Sequence, residues 1–238
     1  MKQRTINKPI FINGIGLHSG KEVSIEIQPS KVDTGITFVY NNTQIKANYL
    51  NAKCAERKTI ISNSNEQIHT IEHLMAALYA TSICNATINI DSNEPPTLDG
   101  SSIDFIKAIQ NVGTKIQDKD LLPIVLDRIV EYDIPSKNIS IIGMPFDGFK
   151  ITYIIDYPNC DTIGRDTFSI DLSDVDKLCD KFSNEIALAR TFCLASELLY
   201  LSKNDLAKGA SLDNGVVYVD NKLSDNVKKE ICDIYDIE

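Results

Sequence analysis

Apolar and polar positions alternate with a period of two near the start of the chain. Val23, Ile25 and Ile27 fall on one side and Glu22, Ser24 and Glu26 on the other, the pattern of a strand with one buried face. Two more strands are predicted over 35–40 and 58–62, each bounded by turn-forming Asn, Ser and Asp. The period then changes: Ile71, Leu74, Met75 and Leu78 recur at i, i+3, i+4 and i+7, the stripe of an amphipathic helix, with Thr70 where an N-cap belongs. The pattern returns to strand over 85–90, and 103–112 reads as a second helix closed by Gly113. Residues 114–122 are polar and mixed in charge, with Pro123 behind them, and make the best candidate for a domain boundary. Strand patterns restart over 124–132, 138–144 and 149–156, followed by helical stretches over 183–190 and 195–201. Strands followed by helices in both halves predict an α+β chain of two similar layers, a first unit over 1–116 and a second over 123–238.

Composition narrows the function classes. With 238 residues, 43% of them hydrophobic, the chain can build a core. The 24 Lys and Arg against 33 Asp and Glu give a net charge of −9 with no basic run, which argues against a nucleic-acid partner. The six cysteines contain no C-x-x-C pair, so reduced thiols and a cytoplasmic setting are expected rather than a disulfide framework or a zinc ribbon. The N-terminus has no secretory apolar region and no eighteen apolar residues run together, so neither export nor membrane insertion is expected. The chain is read as a monomer.

The local string with the most chemistry is His69-Thr70-Ile71-Glu72-His73. Histidine is the commonest zinc ligand, and a neighbouring carboxylate can activate a metal-bound water. As a bare H-x-x-E-H it matches inverted zinc peptidases, in which both histidines bind from one helix face. The plainer alternative is two polar histidines at a helix start, with Glu72 favoured there by the helix dipole. If Thr70 caps the helix, His69 lies outside it and the i, i+4 geometry of the peptidase is lost.

The wider sequence weighs on that choice. Gly14-Ile15-Gly16-Leu17-His18-Ser19-Gly20-Lys21 is followed in order by Thr70-Ile71-Glu72-His73-Leu74-Met75-Ala76-Ala77-Leu78, Glu94-Pro95-Pro96-Thr97-Leu98-Asp99-Gly100-Ser101, Ala189-Arg190-Thr191-Phe192 and Lys208-Gly209-Ala210-Ser211. Together these strings, which run through nearly the whole chain, resemble the UDP-3-O-acyl-N-acetylglucosamine deacetylases of lipid A synthesis. That resemblance implies two α+β sandwiches facing each other, with Zn2+ and UDP-3-O-acyl-N-acetylglucosamine in the cleft between their helices. It implies that His73 is a zinc ligand and Glu72 the general base. Thr191 would steady the oxyanion, Phe192 would lie against the sugar, and the Leu17–His18 segment would lie beside the site. From the residues alone, Gly14–Gly20 reads as a strand connection, and His18 equally as a structural hydrogen-bonding residue. Glu94 to Gly100 reads as a rigid turn into a helix, with no chemistry assigned.

The chain departs from the family toward its end. The resemblance calls for two more zinc ligands in a helical His-x-x-x-Asp, but no histidine follows His73. The nearest match places Lys229 at the histidine and Asp233 at the aspartate, and a protonated lysine has no lone pair to donate. A later histidine of the family, its general acid, is also missing. Two classes therefore stand open, a zinc amidohydrolase and a homologue that only binds the UDP-acyl-sugar, with a zinc peptidase behind them.

Overall fold

The computed structural model describes residues 1–55 and 57–219 and the single positions 224, 226 and 229. In chain order the strands are β1 (Lys2–Ile6), β2 (Ile10–Ile15), β3 (Glu22–Pro29), β4 (Ile36–Tyr40), β5 (Thr43–Lys46), β6 (Ala52–Ala55), β7 (Lys58–Ser62), β8 (Gln67–His69), β9 (Ala86–Ile90), β10 (Thr114–Asp120), β11 (Val130–Ile134), β12 (Ile139–Gly143), β13 (Lys150–Tyr157), β14 (Gly164–Asp171), β15 (Phe192–Leu194) and β16 (Val216–Tyr218). The helices are α1 (Glu72–Ala80), α2 (Ile103–Val112), α3 (Leu178–Glu185) and α4 (Ala195–Lys203). This is an α+β arrangement of helices and several sheets.

The largest sheet has the order β2-β3-β9-β4-β5, with β4 and β9 parallel and the other pairs antiparallel. Alternation along β3 does what its sequence predicts: Val23, Ile25 and Ile27 are buried, while Glu22 and Ser24 face water. The same alternation in β9 puts Ala86, Ile88 and Ile90 inside. Those side chains join Phe38 of β4, Leu74 and Leu78 of α1, and Ile106 and Ile109 of α2 in one core, so helices cover one face of the sheet. Ile170, Leu172, Leu178 and Phe182 pack into that same core. A smaller cluster forms around Ala195, Leu198, Leu201 and Ala207.

Three local features differ from the sequence reading. Residues 114–120, expected as a boundary, form a strand that pairs antiparallel with β1. Asn85 helps to hold this pairing: its amide donates to Gln3 Oε1 at 2.8 Å and Gln117 Oε1 at 2.7 Å, and its carbonyl accepts from Gly35 N–H at 2.8 Å. Such side-chain bonds are invisible to a periodicity argument. Thr70 is not the N-cap of α1, because Ile71 holds that place without a side-chain bond. Thr70 instead adopts φ +57°, a conformation that β-branched residues rarely visit. The helix expected over 183–190 begins earlier, at Leu178, where Leu178 and Phe182 provide the buried i, i+4 pair.

The hairpin β11–β12 stands apart from the main core, whereas β13–β14 reaches it through Ile170. Ile141 and Ile142 point to opposite faces of β12, yet they are 67% and 54% exposed, so neither face of that hairpin is covered among the described residues. Segments held by few buried contacts open most readily. Limited trypsin digestion is therefore expected to cut first at the exposed Arg128 and Lys137, leaving a fragment that contains residues 1–120. A first cut inside β3, β4 or β9 would contradict that order of stability.

Candidate functional site

The turn from β2 to β3 carries Leu17 and His18. It is closed by Gly16 N–H to Lys21 O at 2.9 Å and Gly20 N–H to Gly16 O at 2.9 Å. No helix follows, so the glycines make a strand connection rather than a phosphate cradle. The backbone of this turn also binds a distant loop: Gly209 N–H donates to Leu17 O at 3.0 Å. A Cβ on Gly209 would lie 2.3 Å from Gly16 O, so only glycine lets the two backbones meet.

Glu94 sits beneath the turn, fully buried. Its Oε1 accepts from His18 N–H at 3.0 Å, and its Oε2 from His18 N–H at 3.1 Å and Ser19 N–H at 2.9 Å. His69 Nδ1 lies 3.8 Å from Oε1 and 3.2 Å from the Thr70 hydroxyl. Burial works to raise the carboxyl, but the Ser19 and His18 amides, the Thr70 hydroxyl and nearby His69 together hold it below the ordinary carboxylate range. The sequence reading gave Glu94 no chemistry. A carboxylate before two prolines looks like a turn residue, and its amide partners come from a segment 75 and 76 positions away.

The three histidines are all held toward the neutral form. Burial lowers the pKa of His18, with Glu94 and Glu72 opposing and Lys58 and Arg57 assisting. Burial does the same to His69, and to His73 against the raising influence of Glu72 and Asp99. His18 Nδ1 accepts from Ala207 N–H at 3.3 Å, so the proton of the neutral ring is on Nε2, and Nε2 is buried without a partner among the described residues. His69 ends β8, outside α1, so the two histidines of H-x-x-E-H do not share a helix face. The geometry of the zinc peptidase is absent.

Glu72 and His73 open α1. Glu72 Oε2 accepts from Thr59 N–H at 3.1 Å, and its charge reaches His18. His73 lies within the influence of Asp99, whose neighbour Gly100 accepts from Thr191 N–H at 2.8 Å. Thr191 leads into β15, and Phe192 packs edge-on against Tyr157 and Tyr218 with ring centroids 5.8 and 5.6 Å away. Gly100 permits this crossing, since a Cβ there would lie 1.9 Å from Asn214 O.

A cavity of about 330 Å³ runs beside these residues. Leu17, His18, Thr191 and Phe192 are on its wall, with Ala210 and Ser211 and an apolar side that includes Leu198, Leu201 and Val217. Arg57, paired with Glu197, stands at its edge. Cys193 also lines it, but burial, helped by the Glu197 charge, pushes its thiol up to about 11, which leaves it unreactive at neutral pH. Glu72 and His73 are not part of the lining. Neither Arg57 nor the Ala207–Val217 wall carried a signal in the sequence beyond the Lys208–Ser211 motif.

The donor set does not by itself amount to a zinc site. Among the described residues, no three of His, Cys, Asp and Glu converge where a metal could be held. His73 can supply one ligand, and a catalytic zinc needs three from the protein. Asp233, the other ligand expected from the sequence, lies outside the described residues.

A family model described as UDP-3-O-acyl N-acetylglycosamine deacetylase matches residues 3–232. The chain is 36% identical over 235 residues to the bifunctional enzyme LpxC/FabZ of Chlorobaculum tepidum, covering 97% of this chain and 49% of that one. It is 38% identical over 217 residues to the UDP-3-O-acyl-N-acetylglucosamine deacetylase of Thermodesulfovibrio yellowstonii, covering 90% and 72%. Against the protein of the same description from Campylobacter hominis it is 36% identical over 225 residues, covering 94% and 74%. The chain thus spans about half of the bifunctional relative and roughly seven-tenths of the other two.

Proposed function

Since the chain belongs to the UDP-3-O-acyl N-acetylglycosamine deacetylase family, we propose that its cavity binds UDP-3-O-acyl-N-acetylglucosamine and that its site is built to hydrolyse the N-acetyl group. One observation carries this reading. Leu17 and His18, Thr191 and Phe192, and Ala210 and Ser211 come from three of the five family-like strings, far apart in sequence, and they line the same cavity.

The apolar wall suits an acyl chain, since burying each methylene is favourable by about 0.8 kcal/mol. Phe192 offers a flat face to a sugar, and the Thr191 hydroxyl is a donor for an oxygen that becomes negative during acyl transfer. Glu72 is the proton acceptor of this proposal, because it is the carboxylate that acts on the His18 ring from the start of α1. Zn2+, where three ligands are provided, supplies polarisation of the amide carbonyl. The two-sandwich division at 1–116 and 123–238, with the cleft between the helices, belongs to the same proposal and is supported by the restart of the strand pattern after Pro123. Among the described residues no helix is long and apolar enough to cross a membrane.

A second reading, ligand binding without turnover, is favoured by Lys229 at the position where the resemblance calls for a zinc-binding histidine. Calorimetric titration tests the shared part of both. UDP-3-O-acyl-N-acetylglucosamine is expected to bind, and to bind more tightly than unacylated UDP-N-acetylglucosamine. Phe192→Ala is expected to weaken binding of both by about tenfold, the worth of one aromatic contact. Binding of an unrelated peptide, with none of either sugar nucleotide, would reject the proposal in favour of a peptidase.

A further inference from the structure

We propose that Glu94 is a positioning residue of this site. Its carboxylate holds the backbone of the Leu17–His18 turn, and so sets the His18 ring with its Nε2–H available to an acceptor oxygen of the ligand. This deepens the function proposed above and rests on it only for the identity of that ligand.

Glu94 is a fully buried charge. A carboxylate with no exposed surface is unfavourable unless its oxygens are satisfied, and both oxygens of Glu94 accept from the amides of His18 and Ser19. None of these partners is a cation. A buried anion satisfied by two successive amides fixes the backbone of their turn. That turn is the one that carries His18. Gly16 makes room for this contact, since a Cβ there would lie 2.6 Å from Glu94 Oε2.

The consequence for His18 is specific. Its backbone N–H is held by Glu94 and its Nδ1 by Ala207 N–H, which leaves Nε2, on the wall of the cavity, as a buried donor without a partner among the described residues. Buried donors without partners are rare in folded proteins. Here the missing partner is an oxygen of the bound molecule.

The test uses the full chain labelled with ¹⁵N-histidine, which contains only three rings, with UDP-N-acetylglucosamine as the probe at pH 7.5. In the unmodified chain, His18 is expected to show a single Nε2–H tautomer whose signals shift on adding the sugar nucleotide. Glu94→Gln places an amide NH2 among N–H donors. It is expected to turn the His18 signals into a tautomeric average and to weaken binding by about tenfold, the worth of one well-made hydrogen bond, while His73 signals stay in place. Gly16→Ala, which keeps the carboxylate but crowds it, should produce the same His18 signature and carries the test if Glu94→Gln does not fold. A merely structural Glu94 would lower the melting temperature and leave the tautomer and affinity of the folded protein unchanged, and that result would overturn the proposal. So would tautomeric averaging of His18 in the unmodified chain. If the tautomer is fixed and then lost in the variants, while the probe shifts nothing in any of them, the positioning role stands and the sugar-nucleotide reading falls.

Discussion

The 238-residue chain is expected to hold well under one zinc ion per molecule and to show little deacetylase turnover. The reason is a count of donors. His18 spends Nδ1 on Ala207 N–H, and His69 directs its Nδ1 toward Thr70 and Glu94. His73 is the histidine left at the start of α1. Asp233 would add a second ligand, and Lys229 adds none while protonated. Two protein ligands fall short of the three that catalytic zinc sites use. Metal content by mass spectrometry and a deacetylation assay should be run on this chain beside a version extended by a relative's segment bearing His-x-x-x-Asp and a later histidine. The extended version is expected to gain both zinc and turnover. Near-stoichiometric zinc with full turnover in the unextended chain would mean that the ligands have been misplaced.

Stability is expected to fall steeply as the pH drops below about 6.5, and the sign follows from the burial of the histidines. Burial holds the folded pKa values of His18, His69 and His73 below the ordinary imidazole value of 6.5. Between each folded value and 6.5 the unfolded chain binds protons that the folded chain refuses, so unfolding is favoured as acid is added. Each histidine contributes at most about 1.4 kcal/mol per pH unit, and the three together at most about 4. Above pH 6.5 this penalty is absent. Glu94 extends the loss at lower pH: its folded pKa lies below 4.5, so the stability it adds above 4.5 disappears as pH falls through the folded value. Relief of the net charge of −9 works in the opposite direction, but that repulsion is spread over a surface screened by salt. Urea unfolding at pH 7.5, 6.5 and 5.5 checks the expectation, and His73→Gln should flatten the curve by roughly one histidine's share. A midpoint that stays constant from pH 7.5 to 5.5 would show that the buried rings protonate freely in the folded protein.

What the sequence by itself determined was whatever rests on short-range periodicity or on a string of neighbouring residues. The two-residue alternation of Val23, Ile25 and Ile27 specifies a buried face wherever β3 is placed, and 103–112 with Gly113 behind it marks α2 to the residue. The five ordered strings pointed to the family that the match over residues 3–232 establishes. Tertiary structure decided the pairings and the site's electrostatics. β1 chooses β10 across more than a hundred residues, a choice that the polar sequence of 114–120 does not announce because its bonds are backbone bonds and its anchoring Asn85 comes from another turn. Thr70 looked like a cap, but it turns the chain at φ +57° and α1 takes Ile71 as its N-cap. Glu94 itself looked like part of a rigid turn. Whether a carboxylate is a solvated surface group or a buried anion depends on which N–H groups the fold brings to it, and those belong to residues 18 and 19. Periodicity is written within one element, whereas desolvation and hydrogen bonding across elements exist only once the chain has closed on itself.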